Sequence, residues 1–320
     1  MKTFALAAFA ASALLALPAQ AGTLLDAYSA FSIQGNNPGV GAFDSGPLTP
    51  TTSFATPFQA DGLAYQGGQV FASGVTSGGF LSGGYLKSYD LAGAETGSVY
   101  GGSFVQWGPL AAGNDMLFAG TTSFSLSGSE FSINFYNADL TGAGVSIELP
   151  EVATGVAFTG GGLFVSYGST LAHYDLTGNL IDSNDYAVFD ITALAYGGGK
   201  VFLGIDDGSS HGWASVNPAL LWASGGASVT LDDAVTGLAY GDGGLFVSTE
   251  FSLAKYDLAG NQTNLLNTGP VVSNGPLAFI PGTTGPRDGA VPEPSTWALL
   301  ILGFGVTGVS IRSKRSQLVL

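Results

Sequence analysis

The strongest constraint on this chain is an internal repeat. A block of the form Gly-Leu-Ala-Tyr, followed by glycines and an apolar run, recurs through the body of the sequence. Its second residue marks the register, and the marked positions lie 38 to 47 residues apart. The six marked positions are Leu63, Leu110, Val156, Leu194, Leu238 and Leu277. Self-similarity at a fixed period of this size predicts an array of equivalent structural units.

A second motif follows the first within the repeat. Tyr-Asp-Leu-x-Gly occurs around Asp90, Asp175 and Asp257. The paired glycines and the Asp-x-x-Gly step are typical of tight turns, and the short β-branched and aromatic runs between them are typical of strands. Each unit therefore predicts four strands joined by turns. The repeated aspartates are expected to hydrogen-bond to the backbone of their own turns.

Four-stranded units of this period predict an all-β fold, a β-propeller. The last copy ends near Ile280 after one strand, and residues 24–58 leave room for three strands before the first copy. Pairing the two ends would close the ring and remove exposed strand edges. We expect six four-stranded blades, with five or seven blades, a β-solenoid or a sandwich as alternatives. The repeats resemble the NHL, SMP-30 and WD40 class of propellers in general, without a signature of any one family.

The composition agrees with a folded β protein. The chain contains 50 glycines among 320 residues and only 10% charged residues, but 46% of its residues are hydrophobic and 12% are aromatic. Such a chain can bury a core, which excludes wholesale disorder. The glycines have no three-residue period, which excludes collagen.

The charge and the cysteine count narrow the function classes. Acidic residues outnumber basic ones 23 to 8, giving a net charge of −15, so nucleic acid and anionic membrane surfaces are not expected partners. Four of the eight basic residues lie outside residues 22–291, which makes the body more acidic than the whole chain. The chain has no cysteine, which excludes disulfides, thiolate metal sites and cysteine nucleophiles.

The first 21 residues have the pattern of a secretory signal. Lys2 precedes an apolar stretch, and Ala19 and Ala21 fit the small-x-small rule for cleavage by signal peptidase. A transmembrane anchor is the alternative, but the apolar stretch is short. The sequence predicts a mature chain that starts near Gly22, with a propeller domain over residues 22–281.

The other end carries a compound signal. A Pro/Gly linker over residues 282–290 leads to a segment over residues 291–315, in which an apolar run, residues 297–311, can form a helix of about 22 Å. That is shorter than the ~30 Å hydrocarbon core, so we expect a transient anchor in the inner membrane with its basic cluster in the cytoplasm. The residues that define the signal are Pro292, Glu293, Pro294, Trp297, Arg312, Lys314 and Arg315.

This arrangement resembles the PEP-CTERM sorting signal of Gram-negative bacteria. The resemblance implies recognition by an exosortase, a membrane-embedded cysteine protease-transpeptidase, and removal of the tail. It also implies delivery to the cell surface or the extracellular space, in a setting where exopolysaccharide and biofilm matrix are made. The same segment also resembles a C-terminal segment named after ice-binding proteins. This resemblance concerns the tail alone and implies nothing about what the body binds.

Two short catalytic patterns occur in the body, and both favour structural interpretations. Residues 208–212 match G-x-S-x-G, but that motif requires a strand before it and a helix after it, so a glycine-rich loop is expected. Residues 252–255 match S-x-x-K on a predicted strand. Lys255 aligns with His173 of another repeat, which predicts a solvated surface position. The triple glycines at 160–162 and 197–199 are expected in hairpin turns.

Two acidic pairs are the candidates for a metal site. Asp206 with Asp207, and Asp232 with Asp233, offer the clustered carboxylates that Ca²⁺ prefers, although neither pair has EF-hand spacing. No other cofactor is expected.

Three functions remain open on the sequence. The first is an exported, non-enzymatic propeller that binds polysaccharide or another surface protein. The second is a metal-dependent propeller enzyme of lactonase or lyase type, with carboxylates around an axial metal. The third is ice or surface adhesion through Thr51-Thr52 and Thr121-Thr122, although the chain has no regular Thr ladder.

Overall fold

The structure is a computed structural model that describes residues 22–30, 37–75, 83–221, 226–267 and 272–281. Within these residues, 24 strands form six four-stranded antiparallel sheets. The predicted propeller of six four-stranded blades is confirmed. The alternatives of five or seven blades, a solenoid or a sandwich do not agree with the six sheets observed. No helix in this part of the chain has the length and the apolar character to cross a bilayer. The helix predicted over residues 297–311 lies outside the described residues.

The strands follow the chain in order around the ring. The closing blade, so called here because both ends of the domain contribute to it, takes β1 (Thr23–Ala30), β2 (Asn37–Asp44) and β3 (Pro50–Ala55). Blade 1 contains β4 (Gln59–Gln66), β5 (Gln69–Val75), β6 (Gly84–Asp90) and β7 (Glu95–Gly102). Blade 2 contains β8 (Val105–Gly113), β9 (Met116–Ser125), β10 (Gly128–Asn137) and β11 (Gly142–Leu149).

The second half of the ring repeats the pattern. Blade 3 contains β12 (Ala153–Phe158), β13 (Gly162–Tyr167), β14 (Thr170–Asp175) and β15 (Leu180–Asp185). Blade 4 contains β16 (Asp190–Gly197), β17 (Lys200–Asp206), β18 (His211–Val216) and β19 (Ser228–Leu231). Blade 5 contains β20 (Val235–Gly241), β21 (Gly244–Thr249), β22 (Ser252–Tyr256) and β23 (Gln262–Asn267). The last strand, β24 (Val272–Ile280), completes the closing blade.

The ring closes as the sequence predicted. The closing blade has the order β24-β1-β2-β3, so one inner strand comes from the C-terminal side and three strands come from the N-terminal side. Leu25 lies opposite Ala278 in the antiparallel register of β1 and β24. The inner strands β4, β8, β12, β16, β20 and β24 each contact the next around the ring. Residues 21–282 therefore form one compact unit, and the pairing of β24 with β1 inside this unit closes the ring.

The hairpins between the first two strands of the blades use residues with positive φ. Gly67 and Gly68 have φ of 60° and 87°, and Gly198 and Gly199 have φ of 56° and 73°, as paired glycines in a hairpin predict. Blade 5 uses Asp242 before Gly243 at the same place, with φ of 45° and 69°. The interpretation of these glycines as turn residues is confirmed.

The core is divided among the contacts between neighbouring blades. The second strand of each of blades 1 to 5 carries a phenylalanine that is at most 1% exposed and packs against apolar residues of the following blade. Burial of each ring contributes about 2–3 kcal/mol, so these positions hold the blades side by side. The five phenylalanines are Phe71, Phe118, Phe164, Phe202 and Phe246.

A buried serine ties neighbouring blades at the residue two places after this phenylalanine. The Oγ of Ser73 donates to the carbonyl of Gly108 in blade 2 at 2.5 Å, and the Oγ of Ser248 donates to that of Gly275 in the closing blade at 2.7 Å. The inner strands approach each other closely here. A Cβ added to Gly237 would lie only 2.5 Å from the carbonyl oxygen of Gly275. Glycine at this position, as in blades 1, 3 and 5, therefore permits the close approach of neighbouring inner strands.

Candidate functional site

The six inner strands surround an axial channel. In four of the six blades, the residue two places before the repeat marker lines this channel and carries a side chain with polar atoms. The cavity that they line has a volume of about 100 Å³. This is smaller than the ~300–1,000 Å³ of ordinary small-molecule sites, so the channel suits a small ion or ordered solvent. The four residues are Asp61, Thr154, Thr192 and Thr236.

The threonines of this ring bond mainly within their own blades. The hydroxyls of Thr154 and Ser166 lie 2.9 Å apart, and Thr236 donates to Ser248 at 3.1 Å. In blade 4, Gly204 occupies the position that the serine has in the other two blades. A Cβ added to this glycine would lie 2.7 Å from the Oγ1 of Thr192. Its buried hydroxyl has no hydrogen-bond partner among the described residues.

Asp61 is the ionisable side chain among the described residues that line the channel. Its side chain is exposed at the channel, and the protein atoms around the carboxyl partly desolvate it and raise its pKa to about 6. The group is therefore mainly ionised at neutral pH and gives the channel mouth a negative potential. Such a mouth attracts cations and hydrogen-bond donors and repels anions.

The repeated aspartates have the turn role that the sequence predicted. The Oδ1 of Asp175 accepts hydrogen bonds from the backbone N–H groups of Thr177 and Asn179, both at 2.9 Å. Asp257 accepts from the backbone of Asn261 at 2.8 Å and from its side-chain amide, also at 2.8 Å. These donors lower the pKa of both carboxyls, which ties the charged form of each to the folded turn.

The four metal candidates occupy two separate places. Asp206 accepts from the backbone of Gly208 at 2.8 Å, and Asp207 from Ser210 at 2.7 Å, so the first pair shapes the loop between β17 and β18. Asp232 and Asp233 line a cavity of about 240 Å³ beside blade 5. Over the ranges that the structure describes, no three His, Cys, Asp or Glu side chains come together in a geometry that could hold a metal ion.

The two catalytic patterns lie in structural positions. Residues 208–210 form the loop before β18, and residues 211–212 begin that strand, so the pattern is not a strand-to-helix elbow and the interpretation as a loop is confirmed. Lys255 is not a freely solvated side chain, and this part of the prediction is wrong. Its ammonium lies 5.0 Å from the ring centre of Phe246 and donates to the Ser45 carbonyl at 3.2 Å. His173 stacks on Phe164 in the same way, with ring centres 4.4 Å apart.

A second concavity was not predicted from the sequence. It lies between the closing blade and blade 5, has a volume of about 530 Å³ and contains Asp26 in its lining. Asp26 is 1% exposed, accepts a hydrogen bond from the backbone N–H of Gly275 at 3.2 Å, and has a pKa that burial raises well above its usual range. The strands β1 to β3 carry no Gly-Gly marker. The position of Asp26 within the repeat could therefore not be read from the sequence, and its burial could not be predicted.

Comparison with known proteins assigns the tail and the fold. The PEP-CTERM protein-sorting motif matches residues 290–315, which confirms the resemblance that Pro292, Glu293 and Pro294 predicted. These residues, like the predicted signal cleavage site, lie outside the described part of the chain. The motif implies processing by an exosortase and export to the surface or the extracellular space.

Two solved structures share the propeller fold. One is a protein of unknown function from Bacteroides caccae, with a TM-score of 0.53 and 13% identity over 81% of this chain and 99% of that chain. The other is found in a nidogen/laminin complex, with a TM-score of 0.59 and 12% identity over 81% of this chain and 98% of that chain. At this identity the likeness establishes the fold alone. The comparison with curated proteins gives no significant match.

Proposed function

We propose that this protein is an exported, exosortase-processed component of the cell surface or extracellular matrix, and that its propeller is a non-catalytic module that binds exopolysaccharide. The observation that carries the proposal is the sorting motif over residues 290–315 behind a self-closing propeller. A compact propeller followed by a sorting segment that can be cleaved off suits a module that acts after export.

The proposed route uses both ends of the chain. Signal peptidase cleaves after Ala21, and the apolar segment 297–311 then holds the chain transiently in the inner membrane, with Arg312 and Arg315 on the cytoplasmic side. Exosortase recognises Pro292–Glu293–Pro294 and releases the propeller from the tail. The basic residues of the tail are thereby separated from the acidic body.

Two features of the body support binding rather than catalysis. The repeated carboxylates are engaged in turn hydrogen bonds, and the channel contributes the single carboxylate of Asp61 to its small cavity. The net charge of −15 makes an acidic polymer an unfavourable partner. The proposed ligand is therefore a neutral glycan.

Co-sedimentation with polysaccharide tests the proposal. A chain of residues 22–290 is mixed with exopolysaccharide purified from the producing strain, and the bound fraction is measured at low and high salt. We expect saturable binding that salt leaves nearly unchanged, because a neutral glycan involves no charge attraction. Absence of binding, or release of reducing ends during incubation, would contradict a non-catalytic glycan-binding role.

A further inference from the structure

One position of the repeat carries a residue in the closing blade that departs from all the other blades. The residue of the second strand that lies opposite the repeat marker is apolar and buried in blades 1 to 5, and Asp26 occupies it opposite Leu277 in the closing blade. The five apolar residues are Ala72, Ala119, Val165, Leu203 and Val247. A carboxyl therefore stands where the fold requires only an apolar contact.

The surroundings of Asp26 leave its carboxyl without a charged partner. The ion pairs found in the described residues join Lys87 to Glu95 and His211 to Asp206, and neither involves Asp26. One backbone N–H, that of Gly275, donates to Oδ1. Burying a carboxyl with so little compensation is costly, and burial raises its pKa, which favours the neutral, protonated form. A neutral carboxyl can both donate and accept a hydrogen bond.

The groove beside this carboxyl has the size and the lining of a ligand site. Its volume of about 530 Å³ falls within the ~300–1,000 Å³ range of small-molecule sites, whereas the axial channel falls below it. Leu266 of blade 5 and the rings of Tyr28 and Phe43 supply apolar surface. Thr51 and Thr52 on the outermost strand β3 supply hydroxyl-bearing side chains.

Two glycines of β2 leave space for the aromatic rings of Tyr28 and Phe43 in the groove. A Cβ added to Gly39 would lie 2.9 Å from the hydroxyl of Tyr28, and one added to Gly41 would lie 3.2 Å from the ring of Phe43 and 3.5 Å from that of Tyr28. The tyrosine ring therefore lies over glycine backbone of β2, where side chains would displace it. This leaves an aromatic surface beside a buried neutral carboxyl.

We propose that this groove, bordered by Asp26, Tyr28, Phe43 and Thr52, binds one neutral sugar ring of the polysaccharide. A pyranose has an apolar C–H face, which packs on an aromatic ring, and hydroxyls at its edge, which exchange hydrogen bonds with a carboxyl and with threonines. A cation would require several ionised oxygens, and Asp26 is the single carboxyl in the groove lining. The proposal rests on the glycan-binding function and assigns its site.

The test uses a substitution that the other blades already contain. In a chain of residues 22–290, Asp26→Leu introduces the residue of blade 4 at the same position, Leu203. We expect a higher melting temperature, because a buried carboxyl is replaced by an apolar group. Saturation-transfer NMR with the methyl glycosides of glucose, galactose and mannose should show transfer from the unchanged protein to at least one sugar and none from the variant. Because this variant is expected to be at least as stable, loss of transfer cannot be attributed to unfolding.

Two further variants define the chemistry and the location. Asp26→Asn keeps a neutral group that donates and accepts, so we expect sugar binding to change less than threefold. Asp61→Asn alters the axial channel alone and should leave the sugar signal unchanged. Loss of binding in Asp26→Asn, together with a thermal shift of the unchanged protein by CaCl₂, would overturn the sugar site in favour of a cation site.

The outcome separates this proposal from the proposed function. If the unchanged protein and Asp26→Leu sediment equally with the exopolysaccharide and show equal sugar signals, the groove assignment is wrong and the glycan-binding function stands. If neither protein binds the polysaccharide or any of the three glycosides, both are wrong. Binding of the unchanged protein alone supports both.

Discussion

Ser73, Ser166 and Ser248 occupy the same place in three blades, and each is fully buried. The Oγ of Ser248 donates to the Gly275 carbonyl of the next blade, in a part of the fold where water cannot replace it. Removing the hydroxyl leaves that carbonyl without this donor. Such a loss costs the desolvation energy of a buried acceptor in addition to the hydrogen bond itself.

We therefore expect Ser248→Ala to lower the free energy of unfolding by about 1–3 kcal/mol. Urea unfolding followed by circular dichroism measures the change. Ser98→Ala, at an exposed position of β7, is the matched control and should stay within about 0.5 kcal/mol of the original chain. Equal effects of the two substitutions would show that the contact between blades contributes no stability.

The channel carboxyl gives a pH-dependent prediction. Asp61 has a pKa of about 6 in the folded chain, above the ~3.9 of an unfolded aspartate, so the folded state binds more protons between these values. The contribution of this group to the free energy of unfolding therefore falls as pH rises through that window, and the loss is complete above pH 6. Asp61→Asn removes the ionised form and should raise the melting temperature near pH 7 but not near pH 4.

Thermal melts at the two pH values check this expectation. Glu130→Gln, at an exposed acid of β10, serves as the control for a change of net charge. A gain in melting temperature for Asp61→Asn that is the same at both pH values would contradict the assignment of the raised pKa to this carboxyl.

At the scale of the strand, the sequence predicted the parts of the fold that carry markers. Paired glycines and Asp-x-x-Gly steps fix both turns of a blade, so the blades with clear copies could be placed from residues such as Gly67, Asp175 and Gly198. The truncated last copy also predicted the closing blade, because one strand at one end and room for three at the other make a complete sheet.

The side-chain sites could not be predicted in the same way. The strands β1 to β3 have no Gly-Gly marker, and a β-bulge shifts the pairing of β1 with β24 between Asp26 and Tyr28. The sequence alone therefore does not show which face of β1 is buried. Asp61 was missed for a different reason. Its position in the repeat holds threonine in three blades, and only the closed ring brings these residues to one channel.

The closing blade should be the element on which the ring depends. A chain that ends at residue 281 keeps β24, whereas a chain that ends at residue 271 loses this inner strand and exposes the edge of β1. We expect the shorter chain to aggregate or to lose its cooperative thermal transition, and the longer one to remain monomeric with a sharp transition. Size-exclusion chromatography and calorimetry distinguish them. Equal behaviour would mean that pairing of the two ends is not required for folding.

At the scale of the whole molecule, the sequence separates an acidic body from basic ends. Lys2, Arg312, Lys314 and Arg315 lie in the two terminal segments, and all the acids except Glu293 lie between residues 22 and 291. Removal of both segments would leave a more acidic, self-closed propeller outside the inner membrane. The glycines that make the chain resemble a low-complexity sequence are, in the described residues, largely turn and close-approach positions of a regular ring.

Intact mass spectrometry of the chain recovered from the cell surface and the culture medium tests delivery by the sorting motif most directly. We expect a chain that begins at Gly22 and lacks the Arg312–Arg315 cluster. Replacing Pro292, Glu293 and Pro294 by alanine should leave the tail attached and the protein in the membrane fraction. A surface chain that still carries the cluster, or identical processing and location for the triple variant, would contradict delivery by the sorting motif.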